Sequence, residues 1–140
     1  MIVITATTSE ETQAAIDKAV EDGEILIVLN RSPSDEPLYL TLSGTTTIEA
    51  NCFVDLSLHD LAFAYIYNTS SAAALDNSAV MARDKATVIA QDKATVYAYN
   101  YSEVYAYNDS HVYAHDRTHV ARISQCGSCT RWCRAGNPIR

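Results

Sequence analysis

Hydrophobic and polar positions alternate with a period of two over most of the chain, and the alternation is organised into units of eight residues. From Asp76 the sequence reads DNSAVMAR, DKATVIAQ, DKATVYAY, NYSEVYAY, NDSHVYAH and DRTHVARI. The same register runs back to Glu36 without an insertion, which gives eleven octads between Glu36 and Ile123. A period of two is typical of β-strands, in which successive side chains point to opposite faces. Similar short strands at a fixed spacing predict a β-solenoid, in which each coil stacks on the previous one.

Three positions of each octad carry apolar or small residues and predict a buried core. The fifth position is valine in the last six octads, from Val80 to Val120, and the seventh is alanine in six octads, from Ala74 to Ala114. The first position is Asp or Asn in every octad from Asp60 to Asp116. Asp and Asn tolerate a left-handed backbone and hydrogen-bond within their own turn. Each octad therefore predicts a strand of about five residues and a corner.

The number of octads in one coil is open between two and three. Two octads give a flat coil of about sixteen residues with two sheets, and three give a triangular coil of about twenty-four. In a two-octad coil, amides and carboxylates alternate along one row of corners: Asn68, Asp84, Asn100 and Asp116. This alternation avoids stacking like charges about 4.8 Å apart, although the other row, from Asp60 to Asn108, does not avoid it. A thin Val/Ala core also lets two sheets approach closely, so two octads are favoured.

The first 35 residues have a different pattern, which predicts a strand-helix-strand cap. Residues 1–6 are a short apolar strand, and Thr8 and Ser9 precede two glutamates, as at a helix N-terminus. Apolar residues follow at helical spacing as far as Gly23, and a second apolar run covers residues 24–30. A helix at this place covers the open end of a solenoid. The chain is thus divided into a cap (1–35), an octapeptide-repeat solenoid (36–123) and a Cys-containing tail (124–140).

Two segments resemble known proteins. The run EETQAAIDKAVEDGEILIVLN, followed by LYLTLSGTTTIEAN, resembles the N-terminal cap and first coils of pectate-lyase-like right-handed β-helix proteins over roughly the first fifty residues. The octads resemble the Val-x-Ala-x-Asp-x-Ala repeats of bacterial and phage β-solenoid proteins. The resemblance implies a mainly β fold, a short parallel right-handed solenoid with an N-terminal capping α-helix. It implies no activity.

The balance of charge narrows the choice of partners. The net charge is −7, which argues against nonspecific binding to nucleic-acid phosphates. Residues 1–80 carry twelve acids and two bases, whereas residues 81–140 carry five acids and eight bases. An acidic half permits nucleic-acid mimicry, although acids also keep a cap helix soluble. We expect no signal peptide and no membrane partner, since the start lacks a basic flank and no run is long enough to span a bilayer. The expected location is the cytoplasm, a virion or another assembly.

The acidic residues do not form a recognisable catalytic pattern. Pectate-lyase-like enzymes use clustered acids and bases on one outward sheet, but Glu103 and Asp109 lie on different octads and fit a carboxylate pair poorly. The recurring corner Asp residues are interpreted as turn formers. Calcium binding by a β-roll requires Gly-rich turns, and the octads after Gly44 contain no glycine. We therefore predict that the protein is not an enzyme.

The tyrosines are the candidate binding residues. All nine fall at even octad positions, which point outward. Such residues stabilise stacking of strands, but tyrosine is also enriched at protein interfaces because it buries a large area and keeps a polar group. The predicted binding face consists of these residues: Tyr97, Tyr99, Tyr101, Tyr105, Tyr107, Tyr113, His111 and His115.

The tail contains the spacing C-x2-C-x3-C, formed by Cys126, Cys129 and Cys133. Thiolates at this spacing can share a zinc ion, with His119 or another chain as a further ligand, and a disulfide or free thiols are equally compatible. No other cofactor is expected.

These observations favour a non-catalytic interaction module. The hypothesis is a rigid solenoid that presents a Tyr/His face to a protein partner, or to a second copy of itself, in a phage or mobile-element setting. Three alternatives stay open: an acidic inhibitor or nucleic-acid mimic that blocks a host enzyme, a structural component of a virion-like assembly, and a carbohydrate-binding β-helix.

Overall fold

A computed structural model describes residues 1–122 and confirms a short parallel β-solenoid with one N-terminal helix. The cap consists of β1 (Ile2–Thr5), α1 (Ser9–Glu21) and β2 (Leu26–Asn30). The octads supply the remaining strands: β3 (Leu38–Leu42), β4 (Thr47–Ala50), β5 (Val54–Leu58), β6 (Phe63–Ile66), β7 (Ser71–Ala74), β8 (Ala79–Ala82), β9 (Thr87–Ala90), β10 (Thr95–Ala98), β11 (Glu103–Ala106), β12 (His111–Ala114) and β13 (His119–Arg122).

The strands form two parallel sheets, and each octad contributes one strand to alternate sheets. The seven-stranded sheet has the order β1-β2-β4-β6-β8-β10-β12, and the six-stranded sheet has the order β3-β5-β7-β9-β11-β13. Thr95 pairs with His111 and with Ala79, so equivalent residues in neighbouring coils are sixteen positions apart. One coil therefore contains two octads, as the alternating corner row and the thin Val/Ala core favoured. The right-handed sense stays a prediction of the resemblance.

The core lies between the two sheets and is built from the third, fifth and seventh octad positions. Val96 and Ala98 are fully buried, as are their equivalents in neighbouring coils. Leucine and isoleucine fill the coils near the cap, where Leu56 and Leu58 are fully buried, and valine and alanine fill the later coils. The predicted core is therefore confirmed. The seven-stranded sheet includes β1 and β2, so cap and solenoid share one sheet.

The corners adopt the backbone conformation for which Asp and Asn are suited. Eight corner residues from Asp60 to Asp116 have φ between 53° and 61°. The turn closes through a hydrogen bond from the third-position amide to the carbonyl three residues earlier, as from Ala94 to Gln91 at 3.1 Å. The buried hydroxyls of Ser78, Ser102 and Thr118 donate to the same carbonyl, as from Thr118 to His115 at 2.6 Å, whereas that of Ser70 donates to the Cys52 carbonyl of the preceding coil at 3.1 Å.

Corner side chains also join successive coils. The Asp92 carboxylate accepts a hydrogen bond from the backbone N–H of Asp76 at 3.1 Å, and the Asp76 carboxylate accepts one from Asp60 at the same distance. Each stacked carboxylate thus faces a backbone donor of the preceding coil, which offsets the repulsion expected between like charges in this row.

Helix α1 covers the first edge of the six-stranded sheet. The Thr8 side chain caps the helix by accepting from the Glu11 amide at 3.1 Å. Gln13 then bonds to both backbone groups of Thr41 in β3: its Nε2 donates to the carbonyl at 2.9 Å, and its Oε1 accepts from the amide at 2.7 Å. The Ser9 hydroxyl accepts from the Tyr39 amide at 3.0 Å. The helix therefore satisfies an edge strand whose backbone would otherwise face water.

Candidate functional site: the outer surface of the solenoid

The structure divides the predicted binding residues among four parts of the surface. Three lie on the outer face of the seven-stranded sheet: Tyr97, His111 and Tyr113. Three lie at the corner that leads from this sheet to the six-stranded sheet: Tyr99, Tyr101 and His115. The remaining two belong to the opposite side, because Tyr105 lies on the six-stranded sheet and Tyr107 at its far end. The eight residues therefore do not form one face.

The outer surface of the seven-stranded sheet carries a column of aromatic side chains that includes one methionine. We call the set Phe63, Tyr65, Met81, Tyr97 and Tyr113 the aromatic face. The last four occupy the sixth octad position in successive coils and are in register along the sheet. Tyr97 and Tyr113 stack with ring centroids 5.2 Å apart and planes inclined by 11°, and Phe63 packs beside Tyr65 at 5.0 Å. All five side chains are half-buried.

The six-stranded sheet presents a different surface. Its sixth octad position carries mostly small or polar residues: Thr41, Ser57, Ala73, Ile89 and Tyr105. Because a coil contains two octads, alternate octads belong to opposite sheets. The outer surfaces of the two sheets therefore differ in chemistry although the octads share one sequence pattern.

A shallow groove of about 630 Å³ lies beside the aromatic face, toward the cap. Its lining includes Tyr65, Tyr67, Met81 and the charged residues Glu49 and Arg83. Burial, followed by the negative charge of Glu49, raises the pKa of the Tyr67 phenol above its ordinary value, and Arg83 opposes this. Tyr67 therefore stays a neutral hydrogen-bonding group at physiological pH.

The corner that follows the seven-stranded sheet combines tyrosines with cations, and we call it the Tyr–cation corner. It consists of two columns with a sixteen-residue spacing, one of Arg83, Tyr99 and His115 and one of Lys85, Tyr101 and Arg117. In the first column the Arg83 guanidinium lies 5.1 Å from the Tyr99 ring centroid, and His115 stacks on Tyr99 at 4.9 Å. In the second, the Arg117 guanidinium lies 6.0 Å from the Tyr101 centroid.

Several members of these surfaces are not evident from single octads. Phe63, Tyr65 and Met81 belong to the aromatic face, and Arg83 and Lys85 belong to the Tyr–cation corner. All of these except Phe63 are identified by a spacing of sixteen residues, which is the length of a coil of two octads. Phe63 precedes Tyr65 by two residues on the same strand.

Within residues 1–122, no group of three or more His, Cys, Asp and Glu is placed to hold a metal ion. The predicted zinc ligands Cys126, Cys129 and Cys133 lie outside the described residues. Cys52 is a half-buried free thiol, and burial raises its pKa above the ordinary value, with Arg31 opposing the shift. A raised pKa keeps Cys52 protonated and weakly nucleophilic at neutral pH.

No helix in the part of the chain that the structure describes is long and apolar enough to cross a bilayer. Comparison of the chain with family models, with curated proteins and with solved structures found no match.

Proposed function

We propose that the protein is a non-catalytic, rigid β-solenoid that presents its aromatic face to a protein partner. The observation that carries the proposal is the column of Tyr65, Met81, Tyr97 and Tyr113, half-exposed and in register on one sheet. The equivalent column of the other sheet is mostly small or polar, so the aromatic residues are concentrated on one side of the solenoid.

The chemistry of this face suits protein recognition. Tyrosine and methionine are enriched at protein interfaces, since tyrosine buries a large apolar ring and keeps a hydroxyl, and methionine adapts its shape to a partner. The backbone beneath them is hydrogen-bonded on both sides in β8 and β10. Side chains held on such a scaffold lose little conformational entropy on binding, which increases the share of contact energy that appears as affinity.

Ring orientation favours a protein partner over a sugar. Sugars bind aromatic side chains by stacking on an exposed ring face. Tyr97 and Tyr113 stack on each other at 5.2 Å with planes inclined by 11°, so each covers one face of the other. A stacked ring presents mainly its edge outward, which suits contacts with a protein surface better than stacking on a sugar. We further propose a phage or mobile-element setting, which rests on the resemblance of the octads alone.

The test compares two double variants that each remove two half-buried tyrosines. Tyr65→Ser/Tyr97→Ser alters the aromatic face, and Tyr105→Ser/Tyr107→Ser alters the opposite side of the solenoid. Both variants are first checked for an intact fold by circular dichroism and thermal unfolding. Wild type and variants are then used to capture proteins from host lysate, and the recovered proteins are quantified by mass spectrometry.

The expected result is a stoichiometric partner that is lost with the aromatic-face variant and retained with the control. Loss of the partner with both variants, or retention with both, would contradict the proposed face. Sedimentation of the purified proteins tests self-association. If wild type and the control variant form an oligomer and the aromatic-face variant is monomeric, the partner is a second copy of the chain.

A further inference from the structure

The Tyr–cation corner is distinct from the aromatic face and carries three cations that form no ion pair within residues 1–122. Arg83, Lys85 and Arg117 are all exposed. Within residues 1–122 none of the three has a carboxylate within 4.0 Å, and the ion pairs of this region involve other residues.

The carboxylates nearest in sequence are engaged elsewhere. Asp84 stands between Arg83 and Lys85, but its carboxylate accepts a hydrogen bond from the backbone N–H of Asn68 in the preceding coil at 3.0 Å. The Asp116 carboxylate accepts in the same way from Asn100 at 3.1 Å. These hydrogen bonds direct the two carboxylates along the solenoid axis, and neither carboxylate forms an ion pair with a cation of the corner.

Tyrosine rings hold the guanidinium groups in place. Arg83 lies over Tyr99 at 5.1 Å and Arg117 over Tyr101 at 6.0 Å. A guanidinium stacked on a ring keeps its N–H donors at the edge of the plane, where they can bind a carboxylate with two parallel hydrogen bonds. Because coils are about 4.8 Å apart, Lys85 and Arg117, two coils apart, present charges separated by about 10 Å.

The opposite corner has the reverse charge, which makes the site directional. The Tyr–cation corner carries three cations and two aspartates, a net charge of +1, whereas the opposite corner between Asp60 and Asp109 carries four aspartates and one cation, Lys93, a net charge of −3. Lys93 occupies the same octad position as Lys85. The two corners therefore offer a matched pair of lysines in surroundings of opposite charge.

We propose that the Tyr–cation corner binds an extended acidic peptide segment of a protein partner. In the extended polyproline II conformation, which has three residues per turn and rises about 3.1 Å per residue, carboxylates three residues apart lie on one side of the chain. They are then separated by about 9 Å, which is close to the spacing of Lys85 and Arg117. Acidic peptide is favoured over nucleic acid because a long polyanion would continue past this small patch onto a molecule of net charge −7. The inference rests on the proposed function for its protein partner and adds the chemistry of a second contact.

The test uses a fluorescein-labelled peptide of ten glutamates, with ten glutamines as the neutral control, and measures fluorescence anisotropy at low and moderate salt. Wild type is expected to bind the glutamate peptide, with affinity that falls as salt rises, and to ignore the glutamine peptide. Lys85→Gln is expected to weaken binding about two- to fivefold, and Arg83→Gln/Lys85→Gln/Arg117→Gln at least about tenfold. Lys93→Gln removes the same charge as Lys85→Gln and is expected to leave the affinity unchanged. All substituted side chains are exposed, and circular dichroism verifies the fold of each variant.

Three results would overturn the proposal: no binding of the glutamate peptide to wild type, equal loss with Lys93→Gln and Lys85→Gln, or equally tight binding of an oligothymidylate with ten phosphates. Tyr65→Ser/Tyr97→Ser separates this proposal from the previous one, since it is expected to keep wild-type affinity for the glutamate peptide. An error in the aromatic-face proposal is therefore detected by the capture experiment alone, and an error in the Tyr–cation corner proposal is detected by the anisotropy measurement alone.

Discussion

The corner residue Asp92 offers a direct test of why aspartate and asparagine recur at the first octad position. Its φ is 56°, a left-handed conformation, and its carboxylate accepts the backbone N–H of Asp76 at 3.1 Å. Three substitutions separate these two contributions. Asp92→Asn keeps both the tolerance for this conformation and an acceptor oxygen, Asp92→Gly keeps only the conformation, and Asp92→Ala keeps neither.

The expected losses follow from the two contributions. A hydrogen bond of this kind contributes about 1 kcal/mol to the free energy of unfolding. A left-handed alanine costs about 1 kcal/mol or more, whereas glycine adopts the conformation freely but loses more entropy on folding. We therefore expect losses of about 2 kcal/mol for Ala, about 1 kcal/mol for Gly and under about 0.5 kcal/mol for Asn. In the structure Asn100 already performs the same role, since its side-chain oxygen accepts the Asp84 amide at 3.2 Å.

The assay is urea unfolding followed by circular dichroism, with Lys93→Ala as the control at the next, exposed position. With a slope of about 2 kcal/mol per molar urea, the Ala variant should unfold at a midpoint about 1 M lower. An unchanged slope shows that the variants share one unfolding transition. The reasoning is refuted if Ala is as stable as wild type, or if Asn destabilises as much as Ala.

Three further predictions concern the cap, the core and a phenol. Gln13→Ala removes both hydrogen bonds to the Thr41 backbone and should lower stability by about 1–2 kcal/mol, with faster hydrogen exchange of the Thr41 amide; slow exchange in the variant would contradict the capping role. Val96→Ala opens a cavity at a fully buried site and should cost about 2 kcal/mol in urea unfolding, and a loss near zero would refute tight packing there. Because the Tyr67 pKa lies above its ordinary value of 10.0, the folded chain keeps a proton that the unfolded chain releases, so stability falls as pH rises above 10. Tyr67→Phe should decline less than wild type in urea midpoints measured from pH 9 to 11, and parallel declines would contradict the shift.

Local signals in the sequence predicted most of the fold. Alternation within the octad specifies which side chains of a strand face inward, and Val96 and Ala98 are buried as that alternation requires. The corner residues were recognisable because few residues accept positive φ, and all eight Asp and Asn residues at the first octad position from Asp60 to Asp116 have it. The helix was predicted from the cap residue Thr8 and from Gly23, which has φ of 85° just after the helix ends.

These local signals did not determine which residues share one outer face of the solenoid. An octad directs a side chain outward but does not say which strand lies beside it, because hydrogen bonding between strands joins residues from different coils. Both coil sizes satisfy the same alternation and the same corners. Tyr97 pairs with Met81 and Tyr113, which are sixteen residues away on either side. Tyr105 is only eight residues from Tyr97 and therefore lies on the opposite sheet.

Pairing between different coils also explains why the two candidate sites could not be predicted from single octads. The sequence by itself determined strand, corner, core and capping helix, since these depend on interactions within one octad or one helix. Only the tertiary structure decided that aromatic side chains collect on one sheet. It also decided that corner carboxylates such as that of Asp84 accept backbone N–H groups of the preceding coil, and that Arg83 and Lys85 form no ion pair with a carboxylate. Those outcomes depend on contacts between residues sixteen apart, which follow from the size of the coil.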